Sequence, residues 1–197
     1  MPRRPPEYML QKRAEIVEAT IACLSRVGVL NTTLSDICEA AAISRGALYV
    51  HFESKDEILG AVVDQFSAAG LVRLQFDSAE ALVAVLERHV GMLTSAEFRM
   101  ASRIELELIL ASSTSAGLKA KLENAAKDRY NQFYEGLKNL RKQGATCPDI
   151  DLHGAATAID AYLSGVILTH AMGGARPAKE HLKALALILN AVVSNKG

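Results

Sequence analysis

Between Thr33 and Lys55 the chain carries hydroxyls at Thr33, Ser44 and Tyr49, cations at Arg45 and Lys55, and an imidazole at His51. Gly46 adds bare backbone and Val50 a pair of methyls. These types suit one kind of chemistry: donors and cations for phosphates, and apolar or hydrogen-bonding groups for base edges. Each residue also has a plainer use. Thr33 and Ser44 can cap helices. Arg45 can be a solvated first-turn cation, Tyr49 a core aromatic, and His51 a neighbour packed beside Phe52. Gly46 is a poor helix residue whose lack of a side chain permits close approach. Lys55 stands where a helix begins, the wrong end for a cation in the helix dipole. A phosphate held by Lys55 and the nearby backbone N–H groups resolves that mismatch.

The elements that position these groups are legible from their punctuation. Thr33 and Asp36 form a capping-box pattern. Leu34, Ile37, Cys38 and Ala41 then follow the spacing of one buried helix face. After a brief turn at Ala42-Ile43, Ser44 caps a second helix, with Ile43 and Leu48 at the positions of a hydrophobic staple. Leu48 and Phe52 face inward, while Gly46, Ala47, Tyr49 and Val50 face largely outward. Ser54 and Glu57 form a further capping box that opens a longer helix. Two short helices joined this way make a helix-turn-helix, whose second helix enters the major groove.

The segments TTLSDICEAA, SRGALYVHF and SKDEIL, spanning residues 32–59, resemble the DNA-binding signature of TetR-family transcriptional regulators. One departure is Ala42, where the family usually has glycine. Either this turn avoids positive φ, or it carries roughly 1 kcal/mol of strain. Val50 likewise stands where the family is often aromatic; an exposed valine suits a thymine methyl. The resemblance implies an all-α fold: a three-helix helix-turn-helix DNA-binding domain followed by a larger helical ligand-binding and dimerisation domain. It implies a homodimeric repressor on near-palindromic double-stranded operator DNA, released by a small apolar effector. On this reading Thr33, Ser44, Arg45, Gly46, Tyr49, Val50, His51 and Lys55 meet DNA.

Composition is compatible and less specific. Half of the 197 residues are hydrophobic, only five are proline, and the formal net charge is zero. Residues 1–60 hold seven Lys/Arg against eight Asp/Glu, a formal net of −1, which argues against a strongly basic domain. A DNA binder must therefore concentrate its cations, and Arg3, Arg4, Lys12 and Arg13 partly do so. Three cysteines without paired or metal-ligand spacing suit a reducing cytoplasm. No secretory leader or uninterrupted apolar membrane span is read; residues 154–173 come closest but contain Asp160, Ser164, Thr169 and His170.

The coarse organisation is an N-terminal arm and helix-turn-helix over 1–54, a connecting helix over 55–76, and an effector-binding and dimerisation domain over 77–197. Residues 1–8 read as a mobile arm and 10–27 as the first helix, its apolar stripe ending at Val27. Helices are expected over about 79–94, 96–112, 115–143, 152–172 and 177–194. The last two, the eighth and ninth, are apolar around much of their circumference. They are read as packing on their own domain and on a second subunit, against the alternative of deep core in a monomer. Polar groups set in apolar stretches, His89, Glu105, Asp160, Tyr162 and His170, with Met92 and Phe133 nearby, are either satisfied core groups or the lining of an effector pocket. An acid-base enzyme using Glu105, Asp160 or His170, and a ligand-independent DNA binder, are the rival readings. The histidines show no metal-ligand spacing, and no nucleophile motif is present; neither a cofactor nor catalysis is expected.

Overall fold

The computed structural model describes residues 5–96, 98–174 and 176–193. Arg3 and Arg4 lie outside the described residues. The fold is all-α: α1 (Pro6–Val27), α2 (Leu34–Ala40), α3 (Arg45–Tyr49), α4 (Lys55–Arg73), α5 (Ala79–Leu93), α6 (Phe98–Ala111), α7 (Ala116–Lys142), α8 (Leu152–Ala171) and α9 (Ala178–Val192). Among the described residues there is no strand, only an isolated bridge between Thr146 and Val193.

Helix starts follow the side chains that can take up orphaned N–H groups. The Thr33 hydroxyl accepts from the Asp36 N–H at 3.2 Å, and the Asp36 carboxylate accepts from the Thr33 N–H at 2.7 Å, so α2 opens on a complete capping box. Ser44 caps α3 through the Ala47 N–H, and Ser78 caps α5 through the Ala81 N–H, both at 3.1 Å. Helix α1 begins earlier than its apolar stripe suggests. Pro6 occupies the first helical turn, where a missing N–H costs nothing, so residues 6–8 belong to the helix. Its buried face is Ile16, Val17, Thr20, Cys23 and Leu24, whereas Val27 is exposed. Thr20 tolerates burial because its hydroxyl donates to the Ile16 carbonyl at 2.8 Å.

Three helix ends share one geometry. After α7 and α8 the chain turns through Gly144 (φ 69) and Gly173 (φ 80). After α2 the same position is Ala42, at φ 51. The Ala42 N–H donates to the Glu39 carbonyl and the Ile43 N–H to the Cys38 carbonyl, the paired bonds of a Schellman end. Those two bonds hold an alanine in the left-handed region because the turn must bring Ser44 round to cap α3.

The chain packs as two compact units. One comprises residues 1–66 and 104–123, the other 67–103 and 124–197. Helices α4, α6 and α7 each begin in one unit and end in the other. The division therefore does not follow the expected segments 1–54, 55–76 and 77–197: the α6–α7 hairpin inserts residues 104–123 into the N-terminal unit. Its Ile104, Leu108 and Leu118 are buried, and Lys121 pairs with Asp64 on α4 at 2.6 Å. In the other unit α5, α8 and α9 pack together around Leu82, Leu86, Val90, Ile159, Leu163, Leu185 and Leu189.

Ala42→Gly should stabilise the N-terminal unit. Left-handed strain on alanine is about 1–2 kcal/mol, and glycine's extra unfolded-state entropy takes back about 0.5–1 kcal/mol. Ala42 is exposed, so its methyl gives up little packing. A urea midpoint that rises with unchanged slope, by roughly 0.5–1 kcal/mol of stability, is the expected result.

Candidate nucleic-acid interface

Helix α3 presents an open face. Arg45, Gly46, Tyr49 and Val50 are exposed, Tyr49 at 52% and Val50 at 66%, while Leu48 and Phe52 on the opposite side are buried. Thr33 and Ser44, the two caps, are also exposed. A large aromatic and a valine left bare beside an arginine and a glycine have no partner in the unit's core. They form a surface suited to base edges and phosphates.

Two of the expected contact residues are placed differently. His51 is only 7% exposed and belongs to the core side of the motif, so packing rather than an open imidazole describes it. Lys55 is half-buried, and its ammonium donates to the Val29 carbonyl at 2.9 Å. Burial holds the Lys55 ammonium below the usual lysine range, with Asp56 and Asp36 acting in the opposite direction. Two donors of the ammonium remain after the Val29 bond.

The N-terminal cations are also less available than counted. Lys12 pairs with Glu15 at 2.8 Å. Arg13 lies over the Phe52 ring with its guanidinium carbon 4.0 Å from the centroid. It donates to the His51 carbonyl and to the Glu57 carboxylate, the latter at 3.1 Å. Arg13 thus closes the motif rather than facing solvent as a free charge. No local spacing announces this; its partners lie 38 and 44 residues away. Glu57 departs from the expected box in the same way. The Ser54 hydroxyl caps the Glu57 N–H at 3.1 Å, but the Glu57 carboxylate takes the Glu53 N–H at 2.6 Å and Arg13.

The expected effector residues lie on four helices, α5, α6, α7 and α8. His89 is buried and Met92 partly buried on α5, and Phe133 is wholly buried in the core on α7. Asp160 pairs with Arg129, which also donates to Ser164 at 3.1 Å. The Tyr162 hydroxyl donates to the His181 carbonyl at 2.6 Å, and burial raises its phenol above the ordinary value. His170 Nε2 meets the Ser95 carbonyl at 2.9 Å. Glu105 lies on α6 within the N-terminal unit, whereas the other six belong to the second unit. An open cleft of about 580 Å³ is lined by Leu74, Gln75, Phe76, Gln132, Glu135 and Asn139 among others, and none of the seven lines it. Asp160 and His170, two residues named in the acid-base alternative, are ten positions apart on α8, roughly 15 Å along its axis. Sequence reasoning passed over Ser102, a fully buried hydroxyl on α6 without a hydrogen-bond partner among the described residues. Among the described residues no group of three His, Cys, Asp or Glu is placed to hold a metal ion, and no helix is long and apolar enough to cross a membrane.

A capped helix-turn-helix with an exposed second helix, followed by an all-helical region, defines a DNA-binding regulatory protein. Comparison with known proteins agrees. The profile of bacterial regulatory proteins of the tetR family matches residues 16–62. The transcriptional regulator TtgR of Pseudomonas putida is 27% identical over 175 residues, covering 85% of this chain and 83% of that one. A probable acrEF/envCD operon repressor of Escherichia coli is 25% identical over 181 residues, covering 85% and 79%. The structure of SmeT with triclosan superposes with a TM-score of 0.79 at 25% identity, covering 94% of this chain and 93% of that one. Over residues 16–62 the chain carries the DNA-binding region of the tetR family, and over most of its length it is similar to transcriptional regulators.

The acid response of this unit follows from its caps. The Glu53 N–H, then Arg13, hold the Glu57 carboxyl below its usual value, and Thr33 does the same for Asp36. A depressed carboxylate contributes stability that is complete above its unfolded pKa and is lost as pH falls through its folded value. Urea melts from about pH 6 down to about pH 3 should show that loss. Glu57→Gln should lower stability at neutral pH and flatten the decline.

Proposed function

We propose that this regulator is a homodimeric repressor that grips a near-palindromic operator through α3 and releases it when a small, largely apolar effector binds in the helical region beyond α4. The observation that carries the DNA contact is the bare Tyr49–Val50 face of α3, backed by Leu48 and Phe52. Arg45 and Gly46 supply the cation and the close approach; Thr33, Ser44 and Lys55 supply backbone donors at its edges. His51 supports α3 from behind, and a direct phosphate contact would need it to leave its buried position.

The effector reading is supported by Ser102. A buried hydroxyl without a partner costs about 1–3 kcal/mol, and it offers a ligand a polar anchor. SmeT, similar to this chain over most of its length, is known as a complex with triclosan, a small molecule. An effector that weakens operator binding about 100-fold needs about 2.7 kcal/mol of coupling, and the operator must weaken effector binding by the same factor.

The dimer reading is supported by the outer faces of α8 and α9. Gly154, Ala158, Ala161, Gly165, Leu168 and Met172 share an exposed stripe, and Met172 is 73% exposed. A Cβ added at Gly165 would meet nothing within 4 Å, so its smallness serves no packing inside the chain. On α9, Leu187 is 75% exposed. Val166 and Leu185, by contrast, are buried core, and charging them would unfold the unit rather than separate a pair of subunits.

Two measurements test these readings. A duplex enriched from a random pool by the full chain should lose at least about tenfold in affinity with Tyr49→Ala, while the melting curve stays unchanged; equal affinity refutes the α3 assignment. In sedimentation experiments the wild type should be a dimer, and Leu187→Glu should give folded monomer. A Leu187→Glu protein that remains dimeric rules out the α8–α9 interface.

A further inference from the structure

One residue in the turn between α1 and α2, Val29, is held through both of its backbone polar groups. The N–H of Val29 donates to the Glu107 carboxylate at 2.5 Å, and its carbonyl accepts from Lys55 at 2.9 Å. Val29 is completely buried. Gly28, at φ 84, makes room for the acid: an added Cβ would lie 2.7 Å from a Glu107 carboxylate oxygen. Glu107 is 78 residues from Val29 and comes from α6, whereas Lys55 opens α4. The two bonds lie on successive peptide groups, so together they fix the Val29 backbone and with it the direction of its carbonyl. The ammonium is thereby fixed by one of its three donors, and the other two are directed by that bond.

We propose that Glu107 is a positioning residue for DNA binding: it locks the Val29 backbone, and through that backbone holds the Lys55 ammonium in place for a DNA phosphate. Movement of α6 would then reach the DNA face through this carboxylate. Ser102 lies little more than one turn earlier in the same helix. The proposal rests on the reading of Lys55 as a phosphate contact. It makes a prediction opposite in sign to simple electrostatics. Deleting an acid ordinarily strengthens binding to a polyanion; deleting Glu107 should weaken it.

The test uses the full chain and the duplex it enriches from a random pool. Affinity is measured against salt by fluorescence anisotropy for the wild type, E107A, E107Q, K55A and the double variant. K55A should reduce the salt slope by about one unit. E107A should do the same and lose about tenfold in affinity at moderate salt. E107Q, whose amide oxygen can accept the Val29 N–H, should recover most of that loss. The double variant should bind within about twofold of K55A, because both changes remove one contact. An unchanged slope in E107A, tighter binding by E107A, or losses that multiply in the double variant overturns the proposal. If E107A melts below the assay temperature, E107D takes its place under the same criteria, its shorter side chain falling short of the N–H. An unchanged slope in K55A removes the phosphate contact and this proposal together, but leaves the α3 reading intact. A wild type that enriches no sequence refutes DNA recognition itself.

Discussion

The helix-turn-helix is closed by one guanidinium. Arg13 reaches from α1 to the carbonyl of His51 just past α3, to the carboxylate of Glu57 at the start of α4, and across the face of Phe52. A cation beside carbonyls that end a helix and a carboxylate that begins the next satisfies groups that neither helix can satisfy alone. The ion pair itself is half-exposed and contributes at most about 1 kcal/mol. Its larger role is geometric, because three elements must be in register for Arg13 to make all its contacts. Helix α3 spans only Arg45–Tyr49, too short to persist by its own propensity. It stands because Leu48 and Phe52 are buried, Ser44 caps its start and Arg13 secures the chain after its end. This leaves Arg45, Tyr49 and Val50 no inward task.

The same economy of polar groups runs through the other unit. Asp160, Tyr162 and His170 read either as satisfied core groups or as the lining of an effector pocket, and each is bonded within the chain, to Arg129, the His181 carbonyl and the Ser95 carbonyl. A buried polar atom is tolerated when such a partner is found. Ser102 stands out against that background, since no partner among the described residues offsets its burial. The outer stripe of α8 is the complementary departure. Small and apolar residues there face outward although α8 already buries a full inner face of Leu152, Ala155, Ala156, Ile159, Leu163 and Val166.

Helices shared between the units change how regulation is framed. A connecting helix alone, as α4 reads in the sequence, would make it the sole route from effector to DNA. The α6–α7 hairpin adds a second covalent path into the N-terminal unit. Its Ile104, Leu108 and Leu118 are buried, Lys121 pairs with Asp64, and Glu107 grips the Val29 peptide.

Local physics made much of this protein legible in its sequence. The caps at Thr33 and Ser44, the inward Leu48 and Phe52, the outward Tyr49 and Val50, and the helix ends at Gly144 and Gly173 depend on residues a few positions apart. Propensity, capping and periodicity act over that range. The start of α1 is less legible, because proline suits both an extended arm and the first turn of a helix. What the sequence could not disclose depends on partners far along the chain. Arg13 reads as a free cation until His51 and Glu57 are folded against it. Lys55 reads as an unmatched charge until the Val29 carbonyl is beside it, and the pairing of Asp160 with Arg129 of α7 has no local signal. The sign of φ at Ala42 was likewise open in the sequence. Closure of the turn between two capped helices decided it, through the Schellman bonds from Ala42 and Ile43 that lead the chain to Ser44.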